Sequence, residues 1–281
     1  MVTVFTEVDY IFRSETIAFR AALATNGDSI TFGQAVGLDR LIRDLYGEFN
    51  GAYTTSNLWS KFVALYPMLG GTATAHKWNL KDLRDLDAAY RVTWYNSPVH
   101  SAGGILFDGA TNYGDIHGDL MTVDQQSGHM TIYNRLATGV RGYHMGEYAG
   151  PYNIASINYT SSNMANPNTN CVVSYGTIQS ATATGAGVLG MHAFSRYDPT
   201  YWHWYIRGVK VADFSYAAPA GTYTGRYMAI GAISGGGSVT PVNYGSMQAA
   251  FASIGSGLTD TEVANLTNAV QAYQTALGRQ V

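Results

Sequence analysis

The sequence holds a single cysteine, Cys171, in 281 residues. One thiol cannot close an intrachain disulfide, so a small stapled scaffold is excluded and folding in a reducing cytosol is allowed. Charge is equally scarce. Asp, Glu, Lys and Arg together make up 12% of the chain, about half the roughly 25% of an ordinary soluble domain. The formal net charge is −3 and Lys and Arg form no run, which argues against nucleic acid or an anionic membrane surface as partner. No 18 apolar residues run together, and the opening MVTVFTEVDYIFRSET is interrupted by Glu7, Asp9 and Arg13. Membrane insertion and a Sec signal peptide are therefore not expected. The seven histidines fall in no H-x-x-x-H spacing, and C-x-x-C and G-x-S-x-G are missing, so no cofactor, metal centre or serine nucleophile is expected.

With so few charges, the polar surface must come from Asn, Ser, Thr, Gln, Gly and Tyr, and 32 Gly with 21 Tyr suit an all-β chain with many turns. The clearest β signal is Tyr201 to Phe214, YWHWYIRGVKVADF, whose aromatic and β-branched residues surround Arg207-Gly208. It reads as a hairpin, with Trp202, Trp204 and Ile206 on one face and Tyr201, His203 and Tyr205 on the other; Val209 and Val211 continue the pattern past the turn. Further short strands recur from Tyr90 onward, at 90–95, 104–107, 129–133, 154–159, 171–175, 188–194 and 227–233, without intervening helices. That spacing indicates a β-sandwich or barrel rather than alternating β-α units.

Helical periodicity is confined to the flanks. Thr31 and Gln34 have capping-box spacing ahead of Ala35, Leu38, Leu41, Ile42 and Leu45, ending near Gly47. A second helix is expected from an N-cap at Ser56 through Leu58, Phe62 and Leu65 to Pro67. Thr259 and Glu262 form another capping box before Val263, Leu266, Val270, Tyr273 and Leu277. The expected organisation is an N-terminal arm or edge strand with a short helix over 1–28 and a helical segment over 29–80. The sandwich occupies 81–256, and a C-terminal helix over 257–281 docks on the helical segment.

GGILFDGATNYGDI, Gly103 to Ile116, resembles the opening of laminin-G-like, concanavalin A-like jelly rolls, with SGHMTIYNRL in the place of the next core strand. WHWYIRGVKVADF followed by GRYMAIGAI resembles that family's late hairpin. The flanks, LWSKFVALYPMLGGTATAHKWNLKDLRDLDAAYR and GLTDTEVANLTNAVQAYQTALGR, resemble segments of structural proteins of tailed bacteriophages and prophage regions. The resemblance implies a jelly-roll β-sandwich with a small helical layer. It further implies a virion protein, made in the host cytoplasm, that packs with copies of itself and other virion proteins and presents a glycan-facing surface. A lectin-like adhesin at a cell surface is the alternative.

Glycoside hydrolases of this fold need two facing carboxylates, but E-x-D-x-x-E does not occur, and Glu147 is the only glutamate between Glu48 and Glu262. Asp82, Asp85 and Asp87 fall in a turn ahead of the sandwich. The expectation is accordingly a protein that is not an enzyme. Asp108, Asp115 and Asp119 near His117 could supply oxygen ligands to calcium, but Asp-Gly and Gly-Asp pairs are also what tight turns need. Cys171 reads as a small buried hydrophobe. For glycan binding, the candidates are Tyr201, His203 and Trp202, whose rings could stack on a sugar face. Trp202 shares the face expected to be core, so Tyr201 and His203 are better placed.

Overall fold

The computed structural model describes residues 10–48, 57–118, 127–137, 142–148, 154–159, 168–175, 177–184, 189–215, 228–235 and 238–281. In chain order they form helices α1 (Ser14–Thr25) and α2 (Phe32–Tyr46), strand β1 (Phe62–Tyr66) and one turn of helix, α3 (Ala73–His76). Strands β2 (Thr93–Tyr95), β3 (Val99–Ser101), β4 (Gly104–Leu106), β5 (Tyr113–Asp115), β6 (Gly128–Ala137), β7 (Gly142–Tyr148), β8 (Ile154–Tyr159), β9 (Asn168–Tyr175) and β10 (Thr177–Thr184) follow. Then come β11 (Gly190–Arg196), β12 (Tyr201–Ile206), β13 (Val209–Ser215), β14 (Ala229–Ile230), β15 (Ile233–Gly235), β16 (Ser238–Val242), β17 (Met247–Gly255) and helix α4 (Asp260–Ala276).

All strands but β15 and β16, which pair as a separate two-stranded ribbon, form two antiparallel sheets packed face to face, the jelly-roll type of sandwich expected. The first runs β13-β12-β11-β6-β17-β4-β3, with β1 also paired to β17; the second runs β10-β9-β8-β7-β14-β5-β2. Between them lies a core of Tyr66, Met130, Ile132, Met145, Phe194, Trp202, Trp204 and Ile254. The opposite face of the first sheet is covered as well: Tyr133, Met191, Tyr205 and Phe251 pack with residues of α1, α2 and α4. Alternation along each central strand therefore feeds two cores.

Both capping boxes form, at Thr31/Gln34 and at Thr259/Glu262, and α4 buries Val263, Leu266, Val270 and Tyr273, on the order of 1.5–3 kcal/mol per large side chain before ordering entropy is subtracted. Helix α1 is tied down by Asp39 of α2, whose buried carboxylate accepts the Arg13 N–H at 2.6 Å and the Thr16 hydroxyl at 3.0 Å.

The helix expected through Leu58, Phe62 and Leu65 is corrected. Leu58–Lys61 make one 3-10 turn and Phe62–Tyr66 are β1, because β17 offers them an open edge, pairing Phe62 with Gly255 and Tyr66 with Ala252. That cross-chain ladder outweighs the local helical spacing. The first sheet therefore begins inside the segment expected to be helical. Ser56 lies outside the described residues, as do residues 1–9 of the arm.

Candidate functional site

The hairpin forms as expected. Arg207 and Gly208 have φ of 50° and 79°, the left-handed pair that matches the twist of two-residue hairpins. Ile206 pairs with Val209 and Tyr205 with Lys210; then the register shifts by one, so that Trp204 faces Ala212, His203 faces Asp213 and Trp202 faces Phe214. This bulge reverses which residues of β13 point inward. Past the bulge Phe214 joins the core and Val211, expected to continue the alternation, is exposed; Val209, on the turn side of the bulge opposite Ile206, is 68% exposed.

Trp202 is buried with its ring stacked on Phe194, centroids 4.5 Å apart. As a glycan-stacking ring it is corrected, since at 1% exposure it lies within the core. His203 is only 4% exposed. Its Nδ1 lies 2.6 Å from Asp213 Oδ1 and its Nε2 3.0 Å from Asp198 Oδ2. Each ring nitrogen thus faces a carboxylate oxygen that can accept an N–H from it. Tyr197 stacks on the imidazole at 4.5 Å and 20°. Tyr201 is the exposed member, 42% accessible, its centroid 6.2 Å from His203.

The surrounding acids hold this cluster rigid. Asp198 Oδ1 accepts the N–H groups of Thr200 and Tyr201 at 2.7 and 2.9 Å, fixing the turn from which Tyr201 projects. Burial pushes the Asp198 carboxyl up, but these donors and His203 outweigh it and hold it below the usual range. Asp260, in the first turn of α4, accepts hydroxyls from Tyr197 at 2.9 Å and Tyr205 at 2.7 Å, and Lys210 approaches it at 3.1 Å. Here too burial is outweighed by the donors, and the carboxyl stays lowered. The arrangement offers a ring face with carboxylate and hydroxyl edges around it. His203, with both nitrogens engaged, is a support.

The remaining candidates separate. Asp108 closes its own loop by accepting N–H bonds from Ala110, Thr111 and Asn112; burial raises its pKa, yet these bonds hold it down at about 2. Asp115 instead caps the His117 N–H at 2.7 Å, and Asp119 is outside the described residues. Among the described residues no group of three His, Cys, Asp or Glu could hold a metal ion. Glu147 on β7 is buried. Asp82, Asp85 and Asp87 form ion pairs with Arg84, Lys77 and Arg91. Cys171 lies on β9, and its side chain is outside the described set. Sequence reasoning missed Asp198 and Asp213; Asp198 precedes Tyr201 in a D-P-T turn, a readable signal, whereas Asp213 reaches His203 only through the bulge.

No protein-family model matches the chain, and no curated protein matches it. Among solved structures it is similar to the CBM40 of Ruminococcus gnavus IT-sialidase bound to α2,6-sialyllactose, at 12% identity over 50% of this chain and 83% of that one, TM-score 0.39. It is also similar to domain 4 of AbnA, a GH43 extracellular arabinanase from Geobacillus stearothermophilus, in complex with arabinotriose, at 17% identity over 74% and 98%, TM-score 0.44. A third is the botulinum neurotoxin serotype D binding domain, at 6% identity over 74% and 50%, TM-score 0.49. Such distant likeness bears on no residue and no activity of this chain. Among the described residues, no helix is long and apolar enough to cross a membrane.

Proposed function

We propose that the chain is a carbohydrate-binding β-sandwich that acts by binding, without turnover, and that the hairpin rim is its ligand surface. One observation carries this reading: the exposed Tyr201 ring stands on a base locked by His203 between two carboxylates and under Tyr197. An aromatic ring held still contributes its stacking energy to a ligand with little ordering cost. The test is affinity electrophoresis of the full chain in gels containing arabinan, dextran, galacturonan or sialylated mucin. Tyr201→Ala is expected to weaken retardation about tenfold, the scale of one aromatic contact, and Tyr201→Phe to preserve it. Full retardation of Tyr201→Ala would remove the rim from the function.

A virion setting is the second reading, with copies of the chain packed against one another and against other virion proteins. The resemblance of the flanks supports it, as does an apolar surface beside and along α1, where Ile11 is 85% and Ile17 56% exposed. Light scattering of the same sample decides: a strict monomer at all concentrations counts against packing of copies.

A further inference from the structure

A second aromatic surface lies on the far side of the sandwich from the hairpin. Strand β2 is the edge of the second sheet and pairs Tyr95 with Tyr113 of β5. Trp94 packs toward the core, so alternation turns Tyr95 and Tyr113 to the outer face. Their rings stack in parallel, 4.7 Å apart at 6°, and Tyr244 adds a third ring 6.2 Å from Tyr113. Tyr95 is 39% exposed.

The backbone around these rings is unusually constrained. Asn96, Ser97 and Asn243 have φ of 55°, 54° and 54°, conformations that non-glycine residues adopt at a cost and that cluster at binding surfaces. Asn96 Nδ2 donates to Thr111 O at 2.8 Å, joining the turn after β2 to the loop that Asp108 closes. The segment carrying Tyr244 lies flat on β7: a Cβ at Gly142 would sit 1.9 Å from Tyr244 O, and one at Gly245 2.4 Å from Tyr143 O. Glycine at both positions is what lets the two backbones touch and sets Tyr244 beside Tyr113. The exposed polar groups here, Asn96, Ser97, Thr111 and Asn243, are neutral amides and hydroxyls, unlike the charged hairpin rim.

We infer that this edge is a second carbohydrate platform, at which Tyr95, backed by the stacked Tyr113, takes the ring face of a neutral sugar and the flanking amides take its hydroxyls. The inference rests on the carbohydrate-binding reading above. Strand β3, joined to β2 by residues 96–98, is five strand spacings from β12 in the first sheet, roughly 24 Å at about 4.8 Å each. One sugar cannot span that distance but a polymer can, which makes the chain bivalent toward polysaccharide.

The same gels separate the two platforms. Tyr95→Ala is expected to weaken retardation by neutral arabinan or dextran at least about tenfold, Tyr95→Phe to leave it intact, and Tyr95→Ala with Tyr201→Ala to abolish it. Retardation through this edge persists in about 1 M salt, where exposed charges are screened. Near-UV circular dichroism confirms that each variant is folded. Unchanged retardation of folded Tyr95→Ala overturns this platform whatever Tyr201→Ala does. Weakening by Tyr95→Ala alone supports it and removes the hairpin rim. No retardation of the unaltered chain by any of the four polymers overturns both.

Discussion

The two faces of the first sheet solve the same burial problem by different means. Toward the second sheet, Met130, Ile132, Phe194, Trp202 and Trp204 pack by shape, and the indole N–H groups of Trp202 and Trp204 meet no acceptor among the described residues. Toward the helices, several polar side chains set among the apolar ones carry directional hydrogen bonds. Tyr133 donates to Gln271 at 2.8 Å, Tyr205 to Asp260 at 2.7 Å, and Ser195 Oγ both donates to Leu258 O and accepts its N–H. Arg279, buried past the end of α4, donates to the carbonyls of Pro67, Met68 and Ala250 at 2.8 to 2.9 Å and to Gln274 Oε1 at 2.6 Å. Two twisted sheets find their alignment from twist and side-chain volume. A helix laid on a sheet can slide, and directional bonds fix where it stops.

Truncation should break the two cores differently. Trp204→Ala removes one of the two fully buried tryptophans of the sheet-to-sheet core and is expected to cost about 3–5 kcal/mol in urea unfolding. Trp204→Phe should cost clearly less, because it also removes a buried donor that has no acceptor. Arg279→Met keeps volume but leaves its carbonyl acceptors unanswered, for an expected loss on the order of 3 kcal/mol. Hydrogen exchange distinguishes the two: loss at Trp204 lowers protection across β6, β11 and β12 together, while loss at Arg279 lowers it first in α4. If Arg279→Met left α4 as protected as before, the directional-lock account would fail.

What could be read from the sequence follows the range of the forces involved. Thr31/Gln34 and Thr259/Glu262 were legible because a cap involves four consecutive residues, and the hairpin because its turn and alternation are local. Strand β17, MQAAFASIG, was not. Its Ala and Ser residues carry no period, and only pairing with β6 on one edge and with β4 and β1 on the other makes it central. The same edge converted Phe62–Tyr66 from expected helix to strand. At the site, Tyr201 and His203 were legible as ring residues on one strand face. The burial of His203 depends on a neighbouring turn, and Asp213 depends on a bulge that no residue pattern announces.

Acid sharpens the contrast, because a histidine sits in each core. His129 on β6 faces the helices, its Nδ1 2.6 Å from the Ser256 carbonyl and its Nε2 3.2 Å from Ser253 Oγ, which in turn meets Thr131 Oγ1 at 2.6 Å. The carbonyl can only accept, so Nδ1 carries a proton, and in the neutral ring Nε2 is the nitrogen that accepts from serine. Burial, opposed by the Ser256 bond and aided by Lys61, lowers its pKa to about 4; Glu262 acts the other way. His144 in the sheet-to-sheet space is lowered further, to about 3, by burial and by His192. Between these values and the unfolded value of about 6.5 the unfolded chain binds more protons, so stability is complete above about pH 6.5 and falls as pH drops toward 4. For His129 alone the whole loss is at most about 3 kcal/mol, and less at any single pH within that window. Urea midpoints measured from pH 7 to 4 should fall for the unaltered chain and fall less steeply for His129→Asn, with the remaining slope coming from His144 and the other buried histidines. A His129→Asn chain with the full acid slope would mean that its hydrogen-bonded ring is not what the helix-side core loses in acid.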